Sequence, residues 1–240
     1  MNLQDKNIIL TGAKRIGKTV AKELAKKGAN LAIIYNSSKS EAQEVVEDCR
    51  GTGVKVEIFQ ANLSNEADIK RVVGEVAEKF GLIHGLVHMA APYPKSPLGE
   101  ITMENFDEIM RSIAGSAILL GQEVGLKMNE GKLVFFSDWS VLRNPFKNYL
   151  VYNAAKASID SITKNLAVEL APKVSVNAIA PGPILKPPDL TDAEDSEVMS
   201  KTPLGRWGGA EEIAKAVLYL FDSDFTTGVV LSVDGGRSIV

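Results

Sequence analysis

With 240 residues, the chain is long enough to bury a substantial core and still lies within the range of one large α/β domain. Hydrophobic residues make up 45% and charged residues 24%, which is the composition of a globular protein and excludes a disordered or fibrous chain. The 27 basic and 30 acidic residues give a net charge of -3, so a nucleic-acid partner is not expected.

Cys49 is the only cysteine, which excludes an internal disulfide and a cysteine-rich metal site. We therefore expect no bound metal and a reducing compartment. The segment Met1 to Lys6 lacks the apolar run of a signal peptide, and no later segment has the roughly 18 apolar residues that a membrane span needs. These features predict a cytoplasmic protein without a membrane partner.

Short β-rich runs alternate with longer segments of helical period. The first pair is the run Asn7 to Thr11, followed by Ile16, Val20 and Leu24 at a spacing of one helical turn. Six further strands are predicted at 31–35, 54–60, 85–89, 132–137, 174–179 and 229–233, and the helical patterns between them cover 41–50, 66–80, 103–128, 148–170 and 210–221. This alternation predicts one doubly wound Rossmann-like α/β domain over residues 1–240, with about seven mostly parallel strands and helices on both faces.

One segment, 181–209, breaks this rhythm. It is rich in Pro, Gly, Asp and Ser and has no clear period in its first half. Because a final helix and strand follow it, we expect residues 183–209 to form a mobile flap that shapes the substrate pocket, and not a linker.

The first predicted strand runs into the turn Thr11-Gly-Ala-Lys-Arg-Ile-Gly17. A glycine turn between a first strand and its helix lets backbone N–H groups approach a pyrophosphate, which the helix N-terminus would also attract. A tight turn without a ligand would use the same glycines, so this motif alone is a weak signal.

A stronger signal is Tyr152-Asn-Ala-Ala-Lys156, at the start of a long predicted helix after the fifth strand. Four-residue spacing places the phenol and the ammonium on one helix face. Because tyrosine titrates near about pH 10, it needs a nearby positive charge to act in proton transfer, and Lys156 supplies one. In isolation, such a pair would more often be exposed and without a role, so the other motifs decide.

Together these motifs resemble the short-chain dehydrogenase/reductase family over nearly the whole chain. The matching residues are the Thr11-Gly12 turn, Tyr152 with Lys156, Asn177-Ala-Ile-Ala-Pro-Gly182 and Val233-Asp-Gly-Gly236. The resemblance implies hydride transfer between a nicotinamide and a carbonyl or imine, with Tyr152 giving the proton. It implies that Lys156 binds the nicotinamide ribose and lowers the pKa of the tyrosine. It also implies a homo-oligomer, a dimer or tetramer, paired through the helices that begin near Met103 and Asn148.

The resemblance further implies which positions hold the cofactor. They are Gly12, Lys14, Arg15, Ile16, Gly17, Asn36, Ser37, Asn62, Leu63, Ala90, Tyr152, Lys156, Pro181, Gly182 and Ile184. NADP is favoured over NAD, because strand two ends in Tyr35-Asn-Ser-Ser-Lys39, without the carboxylate that usually binds the ribose hydroxyl of NAD. Lys14 and Arg15 add cations that suit a 2′-phosphate, and one of them stands where the family's middle glycine would fall. Alternatively, both are solvated residues at a helix start, where cations are not electrostatically favoured.

Several departures from the family pattern concern the reaction. His88-Met-Ala-Ala91 replaces the usual Asn-Asn-Ala-Gly, and a histidine at a strand end is more often structural than catalytic. Ser112 stands where an asparagine often orders a proton-relay water, which makes it a candidate for that relay. After strand five, Ser137 and Asp138 compete for the place of the family's catalytic serine, and the end of the motif favours Asp138.

An aspartate at position 138 is similar to the pteridine-reductase branch of the family. The turn Thr-Gly-Ala-Lys-Arg-Ile-Gly, the loop Ala91-Pro-Tyr-Pro-Lys-Ser-Pro-Leu98 and the terminal Asp234-Gly-Gly-Arg237 are similar to it as well. A carboxylate can accept from the ring N–H and amino groups of a reduced pterin. The leading hypothesis is therefore an NADPH-dependent reductase of a small carbonyl or imine substrate of pterin type. The alternatives are a 3-oxoacyl thioester or ketone reductase and, from another class, a non-catalytic NADP(H)-binding sensor or scaffold.

Overall fold

The computed structural model describes residues 1–141, 143 and 145–240. Its seven strands are β1 (Asn7–Thr11), β2 (Asn30–Tyr35), β3 (Val56–Gln60), β4 (Gly85–His88), β5 (Gly131–Phe136), β6 (Val174–Pro181) and β7 (Val230–Val233). They form one sheet in the order β3-β2-β1-β4-β5-β6-β7, and every neighbouring pair is parallel. The predicted fold class is confirmed, since the sheet is parallel throughout.

The helices of the described chain are α1 (Ile16–Lys26), α2 (Lys39–Cys49), α3 (Glu66–Phe80), α4 (Met103–Met110), α5 (Ser116–Gly125), α6 (Leu150–Glu169), α7 (Asp192–Ser200) and α8 (Ala210–Asp222). A parallel sheet needs a crossover between consecutive strands, and helices supply these crossovers. Helices α1, α2 and α8 cover one face, and α3, α5 and α6 cover the other.

The alternation of side chains along each strand divides the core in two. In β1, Ile8 and Leu10 belong to the core under α1, α2 and α8, whereas Ile9 belongs to the core under α3, α5 and α6. In β4, Val87 and Leu86 divide in the same way. Because both faces are covered, the strands have apolar residues at consecutive positions, which is why they read as continuous hydrophobic runs.

The prediction of one continuous helix over 103–128 is wrong. A π-helical segment, Arg111–Gly115, joins α4 to α5, and α5 ends at Gly125. Inside this region the Ser112 hydroxyl donates to the carbonyl of Ile109 at 3.0 Å, and the Ser116 hydroxyl donates to that of Ser112 at 2.8 Å. Serine hydroxyls bonded to preceding carbonyls compete with the helical pattern, and π-turns inside helices are frequent at functional sites.

The segment predicted as a mobile flap contains a helix, α7. Its N-terminus is a capping box, in which Thr191 and Glu194 each bond the backbone N–H of the other. Lys186 forms an ion pair with Asp195 at 2.7 Å, and the Trp207 indole donates to the other oxygen of Asp195 at 2.8 Å. Internal contacts therefore hold the two ends of this segment to α7.

The strand order places the site. The strand order runs outward in one direction from β1 to β2 and β3 and in the other direction from β4 to β7, so the order reverses between β1 and β4. In open α/β sheets, ligands bind in the crevice outside the carboxyl ends of the strands at such a reversal. Thr11, His88 and Phe136 end β1, β4 and β5 at this edge. The chain segments that follow these residues therefore surround the crevice.

Gly85 lies in the centre of the sheet, where a side chain would not fit. An added Cβ would lie 2.6 Å from Ile8 Cδ1 and 2.6 Å from Phe221 Cε1, both on fully buried side chains. We predict that Gly85→Ala lowers the free energy of unfolding by about 1–3 kcal/mol, the usual cost of overpacking a core. Urea denaturation followed by circular dichroism measures this change.

Gly74→Ala is the matched control, because a Cβ at Gly74 in α3 meets no atom within 4 Å. Alanine is a better helix former than glycine, so this variant should gain about 0.5–1 kcal/mol of stability. Equal urea midpoints for the two variants would contradict the assignment of Gly85 to a filled core.

Candidate active site

Two adjoining cavities lie at the carboxyl edge of the central strands. The first, of about 530 Å³, is lined by residues that include Asn36, Ser37 and Glu41, and is called the Asn36 cavity below. The second, of about 510 Å³, contains Tyr152 and Lys156 in its wall and is called the Tyr152 cavity. The two share the wall residues Gly12, Lys14, Met89, Ala91 and Pro92.

The glycine turn between β1 and α1 requires glycine at two places. Gly12 has a φ of +77°, and a Cβ there would lie 2.7 Å from the backbone nitrogen of Ala90. A Cβ at Gly17 would lie 2.1 Å from the carbonyl oxygen of Gly12. A turn without side chains at these two places lets a phosphate approach the backbone closely.

Arg15 is the residue in the glycine-like conformation of this turn. Its φ is +47°, a region that L-residues seldom adopt and that costs roughly 1–3 kcal/mol. Arg15 is also the N-cap of α1, and its side chain makes no capping bond. First-turn N–H groups other than that of Gly17, which donates to the Lys14 carbonyl at 2.8 Å, therefore keep their capacity to bind an anion. Of the two cations that compete for the middle-glycine position, the backbone conformation therefore selects Arg15.

Lys14 is paired with a carboxylate that the sequence reasoning missed. Its Nζ lies 2.6 Å from Oε1 of Glu41 in the first turn of α2, and both side chains line the Asn36 cavity. The Lys14 ammonium, with help from backbone and Ser40 hydrogen bonds, holds the pKa of Glu41 at about 2. Position 41 lies six residues beyond the end of β2, outside the place where a carboxylate is usually sought.

Tyr152 and Asp138 are in direct contact. The Tyr152 hydroxyl donates to Oδ2 of Asp138 at 2.8 Å, and Oδ1 of the same carboxylate accepts from the Ser140 backbone N–H at 2.9 Å. Burial and the negative charge of Asp138 raise the pKa of Tyr152 above its usual range. In this structure, then, the tyrosine is a neutral hydrogen-bond donor to a carboxylate.

Lys156 lies deeper in the same wall. Its Nζ is buried and donates to the carbonyl oxygen of Phe136 at 2.7 Å, and it lies 6.0 Å from the centroid of the Tyr152 ring. Burial lowers the pKa of Lys156 to about 8, although the charge of Asp138 acts in the opposite direction. In this structure, burial and the bonded carboxylate of Asp138 raise the pKa of Tyr152, and a lowering by Lys156 stays a prediction.

Ser137 and Asp138 face different partners. The Ser137 hydroxyl donates to Oδ1 of Asp160 on α6 at 2.5 Å, whereas Asp138 accepts from Tyr152. Both residues line the Tyr152 cavity, but only the carboxylate contacts the phenol. Burial raises the pKa of Asp160, which Ser137 partly offsets.

Aromatic side chains surround this polar centre. The Tyr93 ring meets the Tyr152 ring edge to face at 4.7 Å and stacks on Tyr149 at 4.4 Å. Trp139 meets Phe146 edge to face at 5.4 Å, and the Arg237 guanidinium lies 5.1 Å from the Trp139 ring. Flat apolar surfaces beside one carboxylate and one phenol suit a planar polar ring.

The structure gathers most of the cofactor positions predicted from the sequence around the two cavities. The Asn36 cavity is lined by Gly12, Lys14, Asn36, Ser37, Leu63 and Ala90, and the Tyr152 cavity by Gly12, Lys14, Arg15, Ile16, Gly17, Tyr152, Lys156, Pro181, Gly182 and Ile184. Asn62 lines a neighbouring groove, and its N–H donates to Asp68. Ser112 lines the Asn36 cavity and not the Tyr152 cavity, so the structure does not bring it together with the phenol.

His88 connects three parts of the site. Nδ1 lies 2.8 Å from the Thr11 hydroxyl, which also accepts from the Ala90 N–H, and Nε2 lies 3.0 Å from the Ser116 hydroxyl. Ser116 donates its own proton to a carbonyl of the π-helical segment, so His88 Nε2 is the donor in the bond to Ser116. Burial, with the charge of Lys156, lowers the pKa of His88 to about 3.

Two negative findings concern only the described part of the chain. No cluster of three or more His, Cys, Asp or Glu side chains that could hold a metal ion is found there. None of its helices combines the length and the apolar character needed to cross a membrane.

A family model described as enoyl-(acyl carrier protein) reductase, of the short-chain dehydrogenase type, matches residues 12–238. The chain belongs to the short-chain dehydrogenase/reductase family. It is 30% identical over 257 residues to the hydroxynaphthalene reductase-like protein Arp2 of Metarhizium anisopliae, covering 98% of this chain and 96% of that protein. It is 32% identical over 244 residues to the 3-oxoacyl-[acyl-carrier-protein] reductase FabG of Staphylococcus aureus, covering 96% and 97% of the two chains.

Solved structures of the family agree with the fold. A short-chain dehydrogenase/reductase from Serratia marcescens has a TM-score of 0.93 and 30% identity, covering 99% of this chain and all of that chain. FolM alternative dihydrofolate reductase 1 from Brucella canis, solved with NADP, has a TM-score of 0.91 and 27% identity, covering 100% and 97%. Both similarities extend over nearly the whole chain.

We predict that buried, neutral His88 makes stability depend on pH. Its folded pKa of about 3 lies below the ordinary value near 6.5, so the stabilisation is complete above pH 6.5 and is lost as pH falls towards 3. His88→Gln should remove this part of the acid sensitivity, which amounts to at most about 1.4 kcal/mol per pH unit. Free energies of unfolding measured in urea between pH 4 and 8 compare the variant with wild type.

His84→Gln is the control, because His84 is only partly buried and its imidazole accepts from the Asn7 N–H at 3.2 Å at the opposite edge of the sheet. It should change the pH dependence less than His88→Gln does. Parallel pH profiles for wild type and His88→Gln would mean that His88 has nearly the same pKa in the folded and the unfolded protein.

Proposed function

We propose that the chain is an NADPH-dependent reductase that adds hydride to a carbon of a small planar carbonyl or imine substrate, of pterin type. Tyr152 is the proton donor of this reaction. The observation that carries the proposal is the 2.8 Å hydrogen bond from Tyr152 to Asp138 in a cavity with aromatic walls. The relationship to an alternative dihydrofolate reductase supports it.

The residues present fit an NADP cofactor. The Gly12 and Gly17 turn has no room for a side chain, as close approach of a pyrophosphate requires, and Lys14 and Arg15 supply cations. The end of β2 carries Asn36 and Ser37 and no carboxylate. Lys156 is the cation that would hold the nicotinamide ribose, through the N–H groups that Phe136 does not use. When bound, the reduced cofactor supplies the hydride.

The carboxylate beside Tyr152 restricts the substrate. When Tyr152 gives up its proton, a phenolate forms next to Asp138, and two adjacent negative charges repel each other. Donors on the substrate that bind the Asp138 carboxylate reduce this cost, and a reduced pterin has such donors in its ring N–H and amino groups. A ketone has no N–H or O–H donor, so Asp138 disfavours it.

The second candidate is a 3-oxoacyl thioester or other ketone reductase, which the similarity to the Staphylococcus aureus protein favours. A ketone reductase needs a hydroxyl donor at the place of Asp138. Ser137 has the hydroxyl, but that group is bonded to Asp160. A non-catalytic NADP(H)-binding sensor is disfavoured because Tyr152 and Lys156 both line the same cavity.

We further propose that the protein works in the cytoplasm as a homo-oligomer, a dimer or tetramer. Large apolar side chains on α4 to α6, the helices expected to pair, are exposed: Met103, Ile118, Leu150 and Val168. Exposed apolar groups of this size are consistent with burial between subunits.

Tyr152→Phe should lower turnover by roughly 10² to 10⁴ while NADPH binding changes less than about threefold, because only the proton donor is lost. Stopped-flow hydride transfer and fluorescence titration measure the two effects. Tyr149→Phe is the matched control, since it removes the hydroxyl of a neighbouring ring that does not line the Tyr152 cavity. Near-wild-type turnover in Tyr152→Phe would place the acid elsewhere.

Asp138→Ser should change the relative specificity and not the activity as a whole. We expect kcat/KM for dihydropterins to fall by about 10² or more, while kcat/KM for a 3-oxoacyl thioester holds or rises. The measurement compares both substrates with NADPH. An unchanged ratio of the two values, or a wild type that ignores every pterin, would overturn the pterin assignment and leave the reductase assignment in place.

A further inference from the structure

The Asn36 cavity contains a carboxylate where the proposed cofactor carries a phosphate. We infer that Glu41 is a specificity-determining residue that weakens binding of the 2′-phosphate and so limits the preference for NADPH over NADH. This inference rests on the proposed cofactor site and concerns the strength of binding, not the reaction.

The ribose 2′ position of a dinucleotide lies at the carboxyl end of β2 in this fold, since a residue there contacts the hydroxyl of NAD or the phosphate of NADP. In this chain that end leads into Asn36 and Ser37, which line the Asn36 cavity with Lys14 and Glu41. Glu41 is therefore close to the place where a phosphate would carry two negative charges.

The ion pair gives Glu41 two effects on such a phosphate. The carboxylate repels the phosphate directly, and it also occupies Lys14, whose Nζ lies 2.6 Å from Glu41 Oε1. Both groups are partly exposed, with side-chain exposures of 54% for Lys14 and 38% for Glu41, so water and salt weaken both effects without removing them. A phosphate must therefore compete with Glu41 for Lys14.

The 2′-hydroxyl of NADH would interact with the Glu41 carboxylate favourably, unlike the phosphate of NADPH. A carboxylate accepts a hydrogen bond from a ribose hydroxyl, which is the interaction that NAD-binding members of such folds obtain from an acidic residue after strand two. Glu41 supplies a carboxylate to this cavity from the first turn of α2 instead. The same side chain that opposes the phosphate is therefore compatible with NADH.

The opposite role is the main alternative. Glu41 could serve to hold Lys14 in position for the phosphate, in which case its removal would weaken binding. The two roles predict changes of opposite sign, so one measurement separates them.

The test uses fragments that differ in the 2′-phosphate. Adenosine 2′,5′-bisphosphate and AMP are titrated by calorimetry into wild type, Glu41→Gln and Glu44→Gln, with NADPH and NADH as further ligands. We expect Glu41→Gln to bind the bisphosphate and NADPH about tenfold more tightly, equal to about 1.4 kcal/mol, and AMP within about twofold of wild type. The gain should shrink as salt is raised from about 50 to 300 mM, because the interaction is electrostatic.

Glu44→Gln is the matched control. Glu44 lies one turn further along α2, pairs with Lys18 at 3.1 Å and lines a different groove, so its loss removes the same charge from outside the cavity. Bisphosphate affinity in Glu44→Gln should stay within about twofold of wild type. Equal affinities in the two variants, or weaker binding in Glu41→Gln, would overturn the inference. Because these are binding measurements, a failure to reduce pterins would overturn the proposed substrate and leave this result unaffected.

Discussion

The close approach of β1 to the end of β4 is the constraint on which the site depends. Gly12 lies so near the Ala90 nitrogen that a single methyl group would not fit, and the Thr11 hydroxyl accepts from the same N–H. His88 extends this contact to Ser116 at the start of α5. One buried hydrogen-bonded chain therefore fixes the glycine turn, the β4 terminus and the π-helical segment relative to one another, and the two cavities are the space that remains between them.

On the proposed function, one carboxylate in an unusual place determines the chemistry of the Tyr152 cavity. Asp138 is held by its own backbone turn and accepts from Tyr152, so the proposed proton donor is hydrogen-bonded before any substrate arrives. A substrate must take over one side of this bond. Sites that hold a serine hydroxyl at this place can donate to a carbonyl oxygen, whereas the Asp138 carboxylate accepts, and on the proposed function it therefore favours substrates that bring donors.

Much of the fold could be predicted from the sequence, because covered parallel strands leave continuous apolar runs and the helices between them leave an amphipathic period. The predicted elements were wrong or incomplete where side-chain hydrogen bonds determine the backbone conformation. The π-turn around Ser112 depends on hydroxyl bonds to carbonyls, and α7 has too little apolar period to be seen, although the capping box at Thr191 and Glu194 was a usable signal. The conformation of Arg15 also required coordinates, since either Lys14 or Arg15 satisfied the spacing.

The residues of the candidate site likewise include some that a sequence motif can find and others that depend on tertiary contacts. Tyr152, Lys156 and the glycine turn have fixed spacings along the chain, so a motif can find them. Glu41 reaches the cavity from a helix that follows the strand, and Ser137 and Asp138 are separated only by the direction in which each side chain points. Contacts of this kind depend on tertiary packing, which no local pattern records.

Trp139 and Trp207 are the two tryptophans of the chain, and both line the Tyr152 cavity. Trp139 lies under the Arg237 guanidinium, and Trp207 donates to Asp195. Indole emission responds to the polarity and charge around the ring, and here no tryptophan lies elsewhere to add a constant background. Tryptophan emission, excited selectively over that of the five tyrosines, is therefore an optical signal from the candidate active site, available without any label.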